Sequence, residues 1–285
     1  MKERLGTLRS GWKRMSAPEK VLQALVLCGA VLNLFPLYWL ISNTFKFSSD
    51  VTKMPPDWWP VNFTLKNYLS IFTTTNAFRW LFNSALVAFV GTSLVVLVSA
   101  LASYGFAKLK FTGSKVLFAF FVGTLMVPKE SYIVPLFSLM SKMKMTNTYM
   151  SMIAPVVAMP FGVFMLKSFF DGIPDAMRDS AKIDGANELT IFYKIFMPMA
   201  KPGLGALFIL MFVRFWNDYL WQLLMAKTDV MKTMMVGIAS LMVDNRPDIA
   251  RKLTGAACSA IPMIIVFLSF QKYFTRGISV GAVKG

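Results

Sequence analysis

Six windows of about 20 apolar residues, set apart by polar breaks, constrain this chain more than any other feature. They cover 21–43, 80–107, 116–140, 150–170, 203–226 and 253–270. A bilayer core roughly 30 Å thick is crossed by about 20 helical residues, and a helix satisfies its own backbone polar groups where no water can. The windows therefore predict an all-α polytopic membrane protein with six transmembrane helices. Only 15% of the 285 residues are charged and 56% are hydrophobic, against about 25% charged in soluble domains.

The net charge of +16 is the one feature that would suit nucleic acid, but the basic residues sit in short clusters between apolar windows. That pattern fits membrane orientation better. With the N-terminus inside, Lys and Arg divide into about 16 cytoplasmic, 11 external and three within spans. The expected layout is a cytoplasmic tail at 1–20, a membrane domain at 21–273 that includes a cytoplasmic loop at 171–202, and a cytoplasmic tail at 274–285. Trp58-Trp59-Pro60 in the first external segment has interfacial character. Leu25-Val26-Leu27-Cys28 has the outline of a lipoprotein site, yet Leu27 is too large for cleavage and the apolar run continues past it. Cys28 and Cys258 read as small buried hydrophobes. The chain has no His, which removes the commonest general base and any His-based zinc site. Neither a catalytic centre nor a metal site is expected.

Ionisable residues at a span centre cost very roughly 2.5–3.5 kcal/mol each and normally face a partner or a water-filled cavity. Lys129-Glu130 follows Pro128 in the third window, which is also readable as two half-spans that dip and return. In the fifth, Arg214 and Asp218 are four apart and on one helix face, able to neutralise each other. Two readings stand for these groups. One is a structural ion pair; the other is a wall of a translocation path, with Trp216 and Tyr219 stacking on a polar ligand and Asn217 and Asp218 accepting its hydroxyls. The abundant Met residues read as packing or lipid-facing groups, and the small residues at 255–260 as a site of close helix approach.

Between the fourth and fifth windows lies a segment that is not a simple loop. Pro174 suits a helix start and Gly185 the turn that ends it, after which Asn187 suits the cap of a second helix through Leu189, Phe192 and Ile195 or Phe196 until Pro198 stops it. Such a helix-turn-helix carries apolar residues no bilayer covers and calls for a protein partner. Here the chain resembles the permease subunits of ATP-binding-cassette importers of the carbohydrate class, similar to the maltose-type permeases. The family loop of Glu-Ala-Ala, Gly and Ile-x-Leu-Pro stands here, at unchanged spacing, as Asp179-Ser180-Ala181, Gly185 and Ile195-Phe196-Met197-Pro198. Asn83-Ser84, Tyr104, Ala107-Lys108, Ile183-Asp184-Gly185-Ala186, Trp216-Asn217-Asp218 and the terminal Gly281 to Gly285 carry the resemblance from about residue 37 to the end.

The resemblance implies a type I importer permease fold, with Asp179, Ser180, Ala181, Gly185, Ala186, Leu189, Phe192, Ile195 and Pro198 forming a coupling helix in a groove of a separate ATPase. It implies that Gly281, Lys284 and Gly285 reach the ATPase interface. The implied assembly has a second six-span permease, forming a heterodimer, two ATPase subunits and an extracellular solute-binding protein in a bacterial plasma membrane. The cargo would be a sugar or oligosaccharide. Arg214, Lys129 and Glu130 look less typical of the family and leave a cargo with acidic character open. No phosphate-binding loop of the form Gly-x-x-x-x-Gly-Lys-Ser/Thr occurs, so ATP and magnesium are expected on the partner and no cofactor on this chain. The rival expectation is an ion-coupled secondary transporter using Lys129, Glu130, Arg214 and Asp218 as a relay.

Overall fold

A computed structural model of the chain describes residues 16–243 and 248–282, and among these no strand occurs. The helices are α1 (Ala17–Thr44), α2 (Ser48–Val51), α3 (Lys66–Thr74), α4 (Ala77–Lys108), α5 (Ser114–Gly123), α6 (Lys129–Lys142), α7 (Tyr149–Ile153), α8 (Pro160–Asp171), α9 (Ala176–Ile183), α10 (Glu188–Ile191), α11 (Met197–Met199), α12 (Lys201–Asn217), α13 (Leu220–Met225), α14 (Met234–Val243) and α15 (Ile249–Ala282).

Helices α1, α4 and the 249–270 part of α15 are long and apolar enough to cross a membrane unbroken. The remaining spans are bent pairs. Ser114–Met126 meets Lys129–Lys142 at 98°, Tyr149–Val156 meets Pro160–Asp171 at 49°, and Glu188–Met199 meets Lys201–Asn217 at 79°, which gives up to six spans if each pair counts as one. Prolines explain the first two breaks. Pro128 follows the 3-10 turn Thr124–Met126, and Pro155 lies in the 3-10 turn Ala154–Val156 with Pro160 beginning α8. Each removes a backbone donor and crowds the preceding turn.

By compactness the chain forms two units, one of residues up to Ile71 with a segment ending at Ala257, the other beginning at Phe72 and resuming at Cys258. In the first, the most apolar window of α1 has no buried residue, and Cys28 is exposed rather than buried as expected. The reason is that, among the described residues, no other helix of this unit covers α1 there. Beyond α1 the backbone is held by polar groups. Buried Lys46 donates to the Asp57 carbonyl at 2.5 Å beneath the Trp39 ring, and Asn67 donates to the carbonyls of Thr44 and Lys46, both at 2.8 Å. Asp248 begins α15 by accepting from the Arg251 N–H at 3.0 Å and from the Ser48 hydroxyl at 2.5 Å.

The second unit is built on α4, which packs against α8, α12 and α14. Small residues set those approaches. A Cβ on Gly91 would lie 2.6 Å from the Phe215 ring, and one on Gly162 2.3 Å from the Ser99 hydroxyl. Lipid is as apolar as the helix faces, so close packing and interhelical hydrogen bonds supply much of the attraction. One end of α4 is fixed by fully buried Asn83, which donates to the carbonyls of Val230 and Lys232 at 2.8 Å and accepts from the Tyr149 hydroxyl at 2.7 Å. Ser84 accepts from the Met234 N–H at 2.7 Å. On α15 the Ser259 carbonyl takes the Trp216 indole N–H at 3.1 Å, so the expected small-residue run does meet another helix.

Candidate functional site

Two constellations in the second unit bear on function. The first is the segment between α8 and α12. Asn187 caps α10 as its sequence foretells, its side-chain oxygen accepting from the Thr190 N–H at 2.8 Å. Gly185 makes the preceding turn at φ +80°. The second helix does end beside Pro198, at Met199, where the chain bends by 79°, but not as a regular α-helix. The chain widens into a π-helical stretch at Phe192–Phe196 and carries on through Met197–Met199 before bending into α12. A proline lacks the donor an α-helix needs and its ring displaces the turn before it, and one extra residue per turn absorbs that displacement.

Glu188 anchors this motif. Its carboxylate accepts from the Tyr104 hydroxyl at 2.6 Å and the Lys182 ammonium at 2.9 Å, and is paired with the Arg178 guanidinium. Burial by itself would raise the Glu188 carboxyl, but the hydrogen bonds from Arg178, Lys182 and Tyr104 outweigh it and bring it down to about 2. Beside it, Lys108 donates at 2.6 Å both to the Ile173 carbonyl and to Asp175, and that hydrogen bond, with the ammonium charge behind it, holds the Asp175 carboxyl below the usual range. The end of α4 thus grips the start of α9 directly and its far end only through Glu188. Tyr104, Phe170, Phe192 and Phe196 close a buried aromatic cluster beneath, with Tyr104 5.3 Å from Phe192 and 5.1 Å from Phe196 between ring centroids.

That packing divides the expected coupling residues. Asp179, Ser180, Gly185 and Leu189 are exposed, and Ala181, Ala186 and Ile195 are half-buried against the core. Phe192 is 1% exposed. It therefore cannot face a partner, contrary to expectation, because Tyr104 and Phe170 take its ring. Pro198 is exposed but acts on the backbone. Two outward apolar groups were missed, Ile183 at 88% exposure and Met177. Ile183 carried a signal, an apolar residue standing directly before the Asp-Gly turn.

The second constellation is a cavity of about 600 Å³ where the bent spans break. Its walls include Phe121, Pro128, Lys129, Tyr132, Arg214 and Trp221. Lys129 and Arg214, two of the expected path residues, come together there. The others do not. Arg214 and Asp218 form no pair, because α12 ends at Asn217 and the Asp218 backbone is extended. Asp218 turns instead to Lys129, whose ammonium lies 3.0 and 3.1 Å from its two oxygens, and it also accepts from the Trp221 N–H at 3.4 Å. Trp216 is 2% exposed and stacked on Phe212, so its indole packs α12 on α15 rather than walling the cavity. Asn217, Tyr219 and Glu130 are exposed and lie outside the lining. Trp221 and Tyr132 were missed; Trp221 is two residues past Tyr219, is almost wholly buried, and donates its indole N–H to the Ser151 carbonyl at 2.9 Å. Of the tail residues, Gly281 falls in the last turn of α15, while Lys284 and Gly285 lie outside the described residues.

A family model described as binding-protein-dependent transport system inner membrane component matches residues 13–280. The arabinooligosaccharides transport system permease protein AraQ of Bacillus subtilis is 33% identical over 259 residues, 90% of this chain and 92% of its own. The lactose transport system permease protein LacG of Rhizobium radiobacter is 30% identical over 271 residues, 95% of this chain and 98% of its own. Among solved structures, a chain of a bacterial ABC transporter involved in the import of the acidic polysaccharide alginate superposes with a TM-score of 0.79 at 21% identity, covering 91% of this chain and 99% of that one.

Proposed function

Because the chain belongs to the family of binding-protein-dependent transport system inner membrane components, we propose that it is the permease subunit of an ATP-driven importer of a sugar or oligosaccharide. The observation that carries this reading is the α9-turn-α10 motif: an exposed apolar edge of Met177, Ile183 and Leu189 on a base held rigid by Glu188. A separate ATP-hydrolysing subunit, which holds the ATP and magnesium, takes that edge in a groove. Its closure moves α9, and Lys108 and Glu188 pass the motion to α4. This chain itself hydrolyses nothing. It contributes six spans and half of the pathway; a second, different permease supplies the other half, and two ATPase subunits and an extracellular solute-binding protein complete the assembly.

The carbohydrate class is supported by the substrates named for the relatives and by the aromatic rings of Phe121 and Tyr132 in the cavity wall, since aromatic faces stack on sugar rings while nearby polar groups fix orientation. The membrane is a bacterial plasma membrane with both termini cytoplasmic, following the distribution of Lys and Arg. The test is ATPase activity of the complex reconstituted in lipid with its binding protein. Stimulation by cargo-loaded binding protein is expected. Uptake that follows an ion gradient without any ATPase would overturn the reading in favour of a secondary transporter.

A further inference from the structure

We propose that the cavity at the helix breaks binds the carboxylate of an acidic oligosaccharide, with Arg214 as its main partner and Lys129, held on Asp218 until then, as a second. This rests on the importer reading and adds the chemical class of the cargo and the residues that read it. The charged residues among those lining the cavity are Lys129 and Arg214, both cations. The two nearby carboxylates neutralise Lys129 but leave Arg214 uncancelled. Glu130 is exposed outside the lining, and Asp218 is committed to Lys129 by two contacts. Among the described residues no acidic group pairs with Arg214. Arg214 presents its guanidinium free at the cavity, and a planar guanidinium is matched best by a carboxylate. The volume of about 600 Å³ falls in the range of pockets that enclose small organic ligands. Helix α6, 14 residues long, begins at Lys129 with Pro128 before it, and both line the cavity. Its dipole adds positive potential on the same side as the two cations.

The Lys129–Asp218 pair makes the site a matter of exchange. Without cargo the pair is neutral and only Arg214 attracts; an arriving carboxylate competes with Asp218 for the Lys129 ammonium. A group that only braced the helices would not distinguish charged from neutral ligands.

The test uses the full complex in nanodiscs, with binding followed by tryptophan fluorescence. The probes are tetragalacturonate and oligomers of glucuronate and mannuronate, set against neutral galactotetraose and maltotetraose. At least one uronate probe is expected to bind more tightly than the neutral ones. Arg214→Gln is expected to weaken it about tenfold, the loss of a hydrogen bond to a charged group, and to leave neutral binding within about twofold. Arg214→Lys restores part of the loss. Asp218→Asn, which frees Lys129, tightens uronate binding severalfold, the opposite of what a brace would give. Absence of binding by every uronate probe, or equal binding of charged and neutral probes, overturns the proposal. So does saturation of the cavity by phosphatidylglycerol alone, which would make it a lipid site. Stimulation of the ATPase by cargo-loaded binding protein is measured on the same sample; it persists if only the acidic assignment fails and is lost if the importer reading fails.

Discussion

Gly185 shows why a single residue governs the coupling motif. Its φ of +80° lies in the left-handed region, yet a Cβ there would meet nothing within 4 Å of this chain. The constraint inside the subunit is therefore backbone strain, not space. Gly185→Ala should cost the motif about 1 kcal/mol, readable as a drop in thermal midpoint, and Gly185→Asn less, because Asn tolerates that conformation. Gly185→Asp should cost no more stability than Gly185→Ala but lower cargo-stimulated ATPase much further, because its side chain projects from the exposed edge. Equal losses of stimulation would make strain the whole effect. Glu188 gives a second test at this scale. Its carboxyl is lowered from 4.5 to about 2 in the folded state, so its contribution is fully present above about pH 4.5 and disappears as pH falls through 2. Glu188→Gln, which leaves Arg178 and Lys182 unpaired at a partly exposed site, should cost about 1 kcal/mol at pH 7 and abolish the acid-dependent part of the unfolding curve between those limits. A variant whose acid sensitivity matches the parent would remove Glu188 as the anchor.

At the scale of elements, helix contact is decided by residues that have no bulk. Gly91 faces the Phe215 ring across α4 and α12, and Gly203 faces the Phe169 ring across α12 and α8. Gly91→Ala should destabilise the subunit by roughly 1–3 kcal/mol, measured as thermal midpoint in detergent, and Phe215→Leu in the same chain should recover part of it by making room. These approaches explain what was and was not legible. The six apolar windows were readable because hydropathy depends only on which residues are present, and Asn187 and Gly185 because caps and turns are local chemistry. The partner of Asp218 was not. Four-residue spacing implies a shared face only if the helix continues, and the break after Asn217 sent the carboxylate to Lys129, 89 residues away in sequence. Phe192 was misjudged for a related reason. Its apolar periodicity marks a buried face but cannot say whether the cover is a partner or Tyr104 of the same chain. Pro198 was read as a stop, and the helix does end at Met199, but the π turn that its ring forces on the residues before it was not legible.

On the scale of the whole subunit, α4 is the element that ties the coupling motif to the 230–234 segment. Its 32 residues span about 48 Å at about 1.5 Å each. Toward one end Asn83 and Ser84 bind the 230–234 segment, and toward the other Tyr104 and Lys108 bind the coupling motif. A helix tied at both ends moves as a rod, so a displacement of α9 should reach the far side without a chain of rearranging side chains. Asn83→Ala tests this. It strands the carbonyls of Val230 and Lys232 and the Tyr149 hydroxyl, at a cost of roughly 1–3 kcal/mol, and should weaken the response of the ATPase to loaded binding protein while leaving its basal rate near normal. Combined with Glu188→Gln, some 30 Å away along the helix, the stability losses should add to within about 0.5 kcal/mol, as they do for sites without shared partners. The losses of stimulation should not add, since releasing either end of a rod already uncouples the two sides. Additive losses in both quantities would mean that the ends of α4 act independently, and that coupling runs through the bent spans around the cavity instead.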